Sequence, residues 1–482
     1  MIRHLRTSFP LTAMAAALVA AVALPAGAQS KLPPVRQLPN PTARTTEPLS
    51  AVSAAVPLPG GKVLVNDVLQ RRVVMFDSAL TMMSVVADST SATANAYGAR
   101  GGGLLSYQGD SALFIDPVSL SMMVVNPAGE LTTVRAVPRA AEINLVVGGA
   151  GGRSGFGPDG RLYYRSQNRA RPGARNARPS VGNFVIPELP DSAPILGVNL
   201  ATRKVDTVAA VKIPKVDIKV SQGVDGQVSV QTRINPLPML DDWALLSDGT
   251  IAVVRGHDFH VDWVAPDGNV TSSPKLPFEW QRLSDDDKQM VVDSARDAIE
   301  KQRAEAQRLM DGAGGPAAFF QGGGGERAMA GVFGGGGGAA AGGGAPPQRG
   351  QGGQGGQGGG GAQGAQGAQA GQRAGGPGGG PGGGFRIPTV NLVPANELPD
   401  YRPPFGQQSA LGDLDGNLWV RTSAPGEKGG VLYYVIARNN EIIDRIELPQ
   451  GRILAGFGKN GLLYTGFRDA EGKAYLEVTR WK

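Results

Sequence analysis

Short apolar runs follow turns built around glycine at six places along the chain. The turns contain Gly61, Gly109, Gly160, Gly249, Gly416 and Gly461, and the runs after them are 63–65, 112–115, 162–164, 251–254, 418–420 and 462–464. Such turns are typical of tight hairpins, in which Asp-Gly and Asn-Gly pairs supply the positive φ angles. Neighbouring copies without a large insertion lie roughly 45–50 residues apart, the spacing of four-stranded propeller blades. The pattern predicts an all-β chain of six blades.

The sixth predicted blade lacks one strand. It contains the runs 453–456, 462–467 and 474–479, which are followed only by the last residues up to Lys482. A blade with three strands would leave an unpaired edge, which proteins usually avoid. We expect part of the segment 32–49 to supply the outer strand. The predicted fold class is therefore a six-bladed β-propeller closed by an N-terminal strand.

Two tracts carry a resemblance to a known group of folds. They are residues 257–268, HDFHVDWVAPDG, and residues 413–420, DLDGNLWV, which add to the six glycine turns. With these features the chain resembles the six-bladed β-propellers of the NHL-repeat and TolB-like kind. The resemblance implies an architecture but no single activity, because this fold hosts binding modules, scaffolds, lactonases and lyases.

The remaining sequence divides into a leader, insertions and a low-complexity segment. We predict a signal peptide over 1–28, propeller blades 1–4 over 29–274 with insertions at 168–194 and 212–238, an inserted helix over 275–311, a disordered segment rich in Gly, Gln and Ala over 312–384, and blades 5–6 over 385–482. The leader has a basic start, an apolar stretch and a small-residue cleavage pattern. The glycine-rich segment has too few apolar residues to offset its chain entropy.

The insertions are expected to crowd one face of the ring. Connections between strands two and three of a blade emerge on the same face as connections between blades, and all three insertions are of these two types. The middle insertion alternates like a hairpin around residues 216–230. The inserted helix should begin after Ser284, whose hydroxyl suits an N-cap. Its thin apolar stripe favours a surface helix resting on its own domain over a helix that binds a partner.

Composition restricts the chemistry further. The chain has no cysteine, which excludes disulfides, thiolate metal sites and a cysteine nucleophile. With the predicted leader, we expect an exported protein, periplasmic or extracellular, without a membrane anchor. The formal net charge of +6 is small for 482 residues, and nucleic acid is a poor partner because aromatic residues are not interleaved with the basic ones.

A weak metal-ligand candidate lies in blade 4. Strand alternation places Asp258, His260 and Asp262 on one side, where a histidine between two carboxylates could bind a metal or act as a base. Such residues more often satisfy backbone groups between packed blades, and their spacing is not a zinc signature. Acidic residues near turns, such as Asp242 and Asp413, could bind calcium, but turn capping is their commoner role. We therefore assign no cofactor, with calcium as the metal to test.

A basic cluster marks the first insertion. It contains Arg165, Arg169, Arg171, Arg175 and Arg178, with proline and glycine between them. A solvated loop is enough to explain this composition. The functional hypothesis is that the loop binds an anionic ligand, a polymer or an acidic partner in the cell envelope. The sequence thus favours an exported binding or scaffold module that recognises a ligand or protein through one decorated face. The alternative is a calcium-dependent hydrolase or lyase with its site in the channel.

Overall fold

Four-stranded sheets follow one another along the chain in the computed structural model, which describes residues 32–148, 152–167, 180–181, 184–185, 191–214, 217–222, 228–312 and 391–482. From the innermost strand outwards, blade 1 is Val52–Pro57, Val63–Asp67, Arg72–Phe76 and Met83–Ala87; blade 2 is Gly103–Ser106, Ala112–Asp116, Ser121–Val125 and Leu131–Ala136; blade 3 is Gly155–Phe156, Arg161–Arg165, Ser192–Asn199 and Val205–Lys212; blade 4 is Asp242–Leu245, Ile251–Arg255, His260–Val264 and Val270–Ser272; blade 5 is Phe405–Gly412, Leu418–Pro425, Val431–Ile436 and Ile442–Leu448; and blade 6 begins with Arg452–Phe457, Leu462–Arg468 and Ala474–Arg480. The predicted signal peptide over 1–28 and nearly all of the predicted disordered segment 312–384 lie outside the described residues.

The second strand of each blade is apolar throughout because both of its faces are buried. In blade 1, Val63 and Val65 pack against blade 6, whereas Leu64 between them packs against blade 2. All three side chains are fully buried. This two-sided burial explains why the glycine turns are followed by continuous apolar runs instead of alternating ones.

Six apolar cores join the blades into a closed ring. One core lies between each neighbouring pair, including blades 6 and 1. The described chain is thus a six-bladed β-propeller, as its sequence predicts. Apart from the long inserted helix, only one four-residue α-helix, Ile143–Val146, and short 3-10 turns occur among these residues.

The N-terminal arm pairs with two blades. Val35–Gln37 lies parallel to the outer strand of blade 5 as a fifth strand, with Arg36 opposite Ile446. Ala43–Arg44 then pairs antiparallel with Ala474–Arg480 and completes blade 6. The Arg44 side chain binds the fully buried Glu477, with its Nε donating to Oε1 at 2.9 Å.

The second and third insertions pack together. The strands Asp217–Gln222 and Val228–Ile234 form an antiparallel hairpin. Asn391–Leu392 adds a third strand, which pairs parallel with Val228–Ile234. The long helix, Asp285–Gly312, buries Val292 against the apolar residues Val393 and Leu398. Its first turn is capped, because the Ser284 hydroxyl accepts a bond from the Asp287 N–H at 3.1 Å.

Two details of the decorated face differ from the pattern in the sequence. The third strand of blade 3 begins at Ser192, inside the range 168–194, because its pairing with the outer strand continues to Lys212. The helix packs through Val292 and the partly buried Val291 of its apolar stripe, but it also buries Lys288 and leaves Met290 exposed. No helix among the described residues combines the length and apolar character needed to cross a membrane.

Candidate functional site in the central channel

The innermost strands enclose a cavity of about 1040 Å³ on the axis of the ring. Each of the six blades contributes wall residues, mostly small or apolar, such as Ala55, Leu104, Phe156, Leu245 and Leu411. Innermost strands have one unpaired edge, so backbone N–H and C=O groups also face the cavity. A concave, largely apolar cavity with few polar groups is the usual form of a small-molecule site.

One arginine crosses this cavity. Arg153 lies just before the innermost strand of blade 3, and its guanidinium reaches the innermost strand of blade 6. There Nη2 donates to the carbonyl oxygen of Leu454 at 2.7 Å, and Nη1 lies 3.5 Å from that of Ala455. Blades 3 and 6 are opposite in a ring of six. The Arg153 side chain therefore spans the channel at its axis.

Arg153 is solvent-accessible within the channel, although protein surrounds it on all sides. This enclosure lowers the pKa of Arg153 below its usual 12.5; Tyr433 opposes the change and the positive Arg421 adds to it. The guanidinium still remains charged at physiological pH. Among the described residues its hydrogen-bond acceptors are the two carbonyl groups of blade 6, and no carboxylate forms an ion pair with it.

Charge is unevenly distributed along the channel. The charged wall residues are Arg100 and Arg153, which lie on the side of the blade-to-blade connections, and Asp413, which lies at a glycine turn on the other side. Asp413 is used within its own turn, where its carboxylate accepts bonds from the Asn417 N–H at 2.7 Å and from the Trp419 indole at 3.0 Å. The decorated side of the channel is therefore the positive one.

Asp242, at the start of the innermost strand of blade 4, shapes the neighbouring wall. One carboxylate oxygen accepts the N–H groups of Ser409 and Ala410 at 2.5 and 3.0 Å, and the other accepts that of Trp243 at 2.9 Å. These bonds hold a bulge in blade 5 at which Gln408 has a φ of 57° and faces the channel. Bulges commonly redirect a side chain beside a functional site.

Burial raises the pKa of Asp242 to about 6, despite the three N–H donors and the nearby positive charge of Arg165. Burial also lowers the pKa of Arg165, and Asp242 opposes that change. Of the five arginines predicted to bind an anion, Arg165 alone belongs to the described residues, where it ends the second strand of blade 3. Arg169, Arg171, Arg175 and Arg178 lie outside the described residues, so their role stays a prediction.

The metal candidates of blade 4 bind one another and an arginine. His260 Nδ1 lies 2.6 Å from Asp258, and its Nε2 lies 3.4 Å from Asp262. Asp262 also accepts a bond from Arg255 Nε at 2.7 Å and one from the Ser272 hydroxyl. These partners occupy the donor atoms that a metal would need, and no group of three acidic, histidine or cysteine side chains in the described part of the chain is arranged to hold a metal ion.

Sequence reasoning missed Arg153. The local signal was modest: a basic residue in the stretch Arg153-Ser154-Gly155-Phe156, directly before the innermost strand of blade 3. Glycine in such a strand often marks close approach of another chain segment, and here a Cβ on Gly155 would lie 2.8 Å from Leu245. The partner of Arg153, however, lies three blades away, which no local pattern reveals.

No family model matches the chain, and no curated protein is similar to it. Among solved structures, the calcium-binding protein regucalcin from Agrobacterium tumefaciens is 13% identical over 93% of this chain and 97% of its own, with a TM-score of 0.35. Virginiamycin B lyase from Staphylococcus aureus is 10% identical over 91% and 87%, with a TM-score of 0.30. A putative gluconolactonase is 11% identical over 91% and 94%, with a TM-score of 0.31.

The names of these similar structures denote enzymes or a calcium-binding protein. At such low identities and TM-scores, however, they carry no argument about the chemistry of this chain. The six-bladed arrangement rests on the strand pairing and the six cores described above.

Proposed function

We propose that the protein is an exported binding module whose central channel takes up a small ligand from the decorated face. The observation that carries this proposal is the cavity of about 1040 Å³ with walls from all six innermost strands. Its two basic residues, Arg100 and Arg153, lie on the decorated side, where they can orient a ligand in a largely apolar site. The narrower assignment to NHL-repeat or TolB-like propellers is part of this proposal.

A channel-filling variant tests the proposal. Ser53 lies on the innermost strand of blade 1, is exposed to the channel, and donates to the carbonyl oxygen of Asn66 at 3.3 Å. Ser53→Trp should fill part of the cavity and weaken binding of the neutral fluorescent probe N-phenyl-1-naphthylamine at least about tenfold, since an occupied apolar cavity can no longer accept its rings. The measurement is a fluorescence titration of the purified protein.

A matched control is available on the outer strand of the same blade. Ser84 is exposed there and donates to the carbonyl oxygen of Met75 at 3.5 Å, so Ser84→Trp introduces the same side chain outside the channel. This variant should bind the probe like the unmodified protein. Binding that is not saturable, or that Ser53→Trp and Ser84→Trp affect equally, would show that the channel is not the binding site.

A calcium-dependent hydrolase or lyase is the second candidate. The observation that favours it is Asp242, whose pKa of about 6 lies near the range of a general acid or base and which adjoins the channel wall. Calcium in the millimolar range should then raise the melting temperature, and a chelator should cancel the rise. An unchanged melting temperature in both conditions favours the binding module.

A further inference from the structure

We propose that the channel ligand is a small organic anion, whose acidic group binds the guanidinium of Arg153 while its apolar body packs against the channel wall. This inference rests on the proposed function, because it names the class of ligand for the same cavity. It adds that Arg153 recognises the ligand and that the ligand carries a negative charge.

The first argument concerns hydrogen-bond donors that remain available. Arg153 is exposed to the channel, and in the described chain it has two backbone carbonyl groups as acceptors and no carboxylate. A guanidinium carries five N–H donors, so two carbonyl groups leave donors available to a ligand. Because the side chain is open to the channel, an anion that enters can reach these donors, and a charge-assisted bond to it is stronger than a bond to a neutral group.

The second argument concerns the surrounding field. The positive charge of Arg421 lies close enough to lower the pKa of Arg153. Burial raises the pKa of Tyr433, and the charges of Arg421 and Arg153 oppose this change. Arg100 is the second basic residue of the channel wall in the described part of the chain. Low-dielectric walls concentrate such a field and attract anions into the cleft.

The third argument concerns shape. Arg153 starts on the decorated side and crosses the channel to the opposite blade, so its guanidinium lies within the cavity. An acidic group that enters from this side meets the planar donor edge, where a carboxylate, sulfonate or phosphate can accept paired bonds. The walls beside it, which include Leu104, Leu145 and Leu411, suit rings or alkyl chains.

Two probes with the same rings separate charge recognition from apolar binding. N-phenyl-1-naphthylamine is neutral, and 8-anilinonaphthalene-1-sulfonate carries the same rings with a sulfonate. The protein should bind the sulfonate more tightly than the neutral probe, and added salt should weaken the sulfonate alone. Arg153→Met should weaken sulfonate binding about 10- to 100-fold, the usual contribution of a charge-assisted bond, and leave the neutral probe unchanged.

The chain offers a matched control. Arg468 is exposed outside the channel and also donates to two backbone carbonyl groups, those of Gly472 and Ser50. Arg468→Met should change neither probe. Arg153→Lys keeps the charge but loses the planar donor edge, so its affinity for the sulfonate should lie between those of the unmodified protein and Arg153→Met.

The outcomes distinguish the two proposals. If neither probe binds saturably in the channel, the proposed function fails. If both bind and Ser53→Trp excludes both, but the sulfonate binds no better than the neutral probe or Arg153→Met weakens both equally, the binding module stands and anion recognition is wrong. Should Arg153→Met fail to fold, Arg153→Lys and the salt dependence still decide, since equal responses of the two probes would overturn the inference.

Discussion

Asp242 should make the protein less stable as the pH rises from acidic to neutral. Its pKa increases from the usual 3.8 to about 6 on folding, because burial outweighs the N–H donors of Trp243, Ser409 and Ala410. Well below pH 4 the carboxyl is protonated in both the folded and the unfolded state, and it carries no penalty. Above about pH 6 it is ionised in both, and the folded state bears the full penalty. At about 1.4 kcal/mol per pKa unit, the loss is about 3 kcal/mol.

Asp242→Asn keeps the shape of the side chain and removes this titration. The assay is urea unfolding, followed by tryptophan fluorescence, of both proteins between about pH 4 and pH 8. The free energy of unfolding of the unmodified protein, minus that of the variant, should fall by about 2.5 kcal/mol over this range, since a small part of the loss has already occurred at pH 4. As a control, Asp415→Asn removes the same charge at a glycine turn. A difference that stays flat, or that grows with pH, would refute the reasoning, because the N–H donors would then outweigh burial.

Two further predictions concern ring closure and the close approach of blades. Arg44→Met should lower the free energy of unfolding by about 1.5–3 kcal/mol, the value of hydrogen bonds to a charged group. The loss stays in this range because the fully buried Glu477 keeps Arg452 as an ion-pair partner. Thermal or urea unfolding measures the change, and an unchanged stability would contradict the prediction. Gly456→Ala should lower the free energy of unfolding by about 1–3 kcal/mol, because the new Cβ would lie 2.1 Å from the carbonyl oxygen of Ala55 in the next blade. Gly406→Ala, with open space around it, should leave the stability unchanged in the same assay. Equal effects of the two variants would show that the blades can move apart.

The blades could be predicted from the sequence because each one repeats a local pattern. A glycine turn and an apolar run such as 63–65 determine a hairpin and its buried strand, and both signals lie within a few residues of each other. The N-terminal arm shows where this reasoning stops. The incomplete sixth blade indicated that a strand was missing, but nothing in the three residues Val35–Gln37 indicates that they pair parallel with blade 5.

The site was harder to predict for a related reason. The candidates chosen from the sequence were clusters of chemically similar residues, namely the arginines from Arg165 to Arg178 and the residues around His260. Arg153 belongs to no such cluster. Its importance comes from meeting Leu454, about 300 residues later in the chain, once the ring has closed. The role of a polar side chain at the axis of the ring depends on which residues lie opposite it, and only the three-dimensional structure gives that information.

The pairing of Ala43–Arg44 with Ala474–Arg480 also bears on how the molecule is assembled. Arg44 and Glu477 are 433 positions apart, so this pairing cannot form until the chain has been synthesised at least as far as Glu477. Until then the last sheet presents a bare strand that could join another molecule. Slow synthesis of residues 474–480 would lengthen this interval, and a chaperone that shields unpaired strands would act most usefully then.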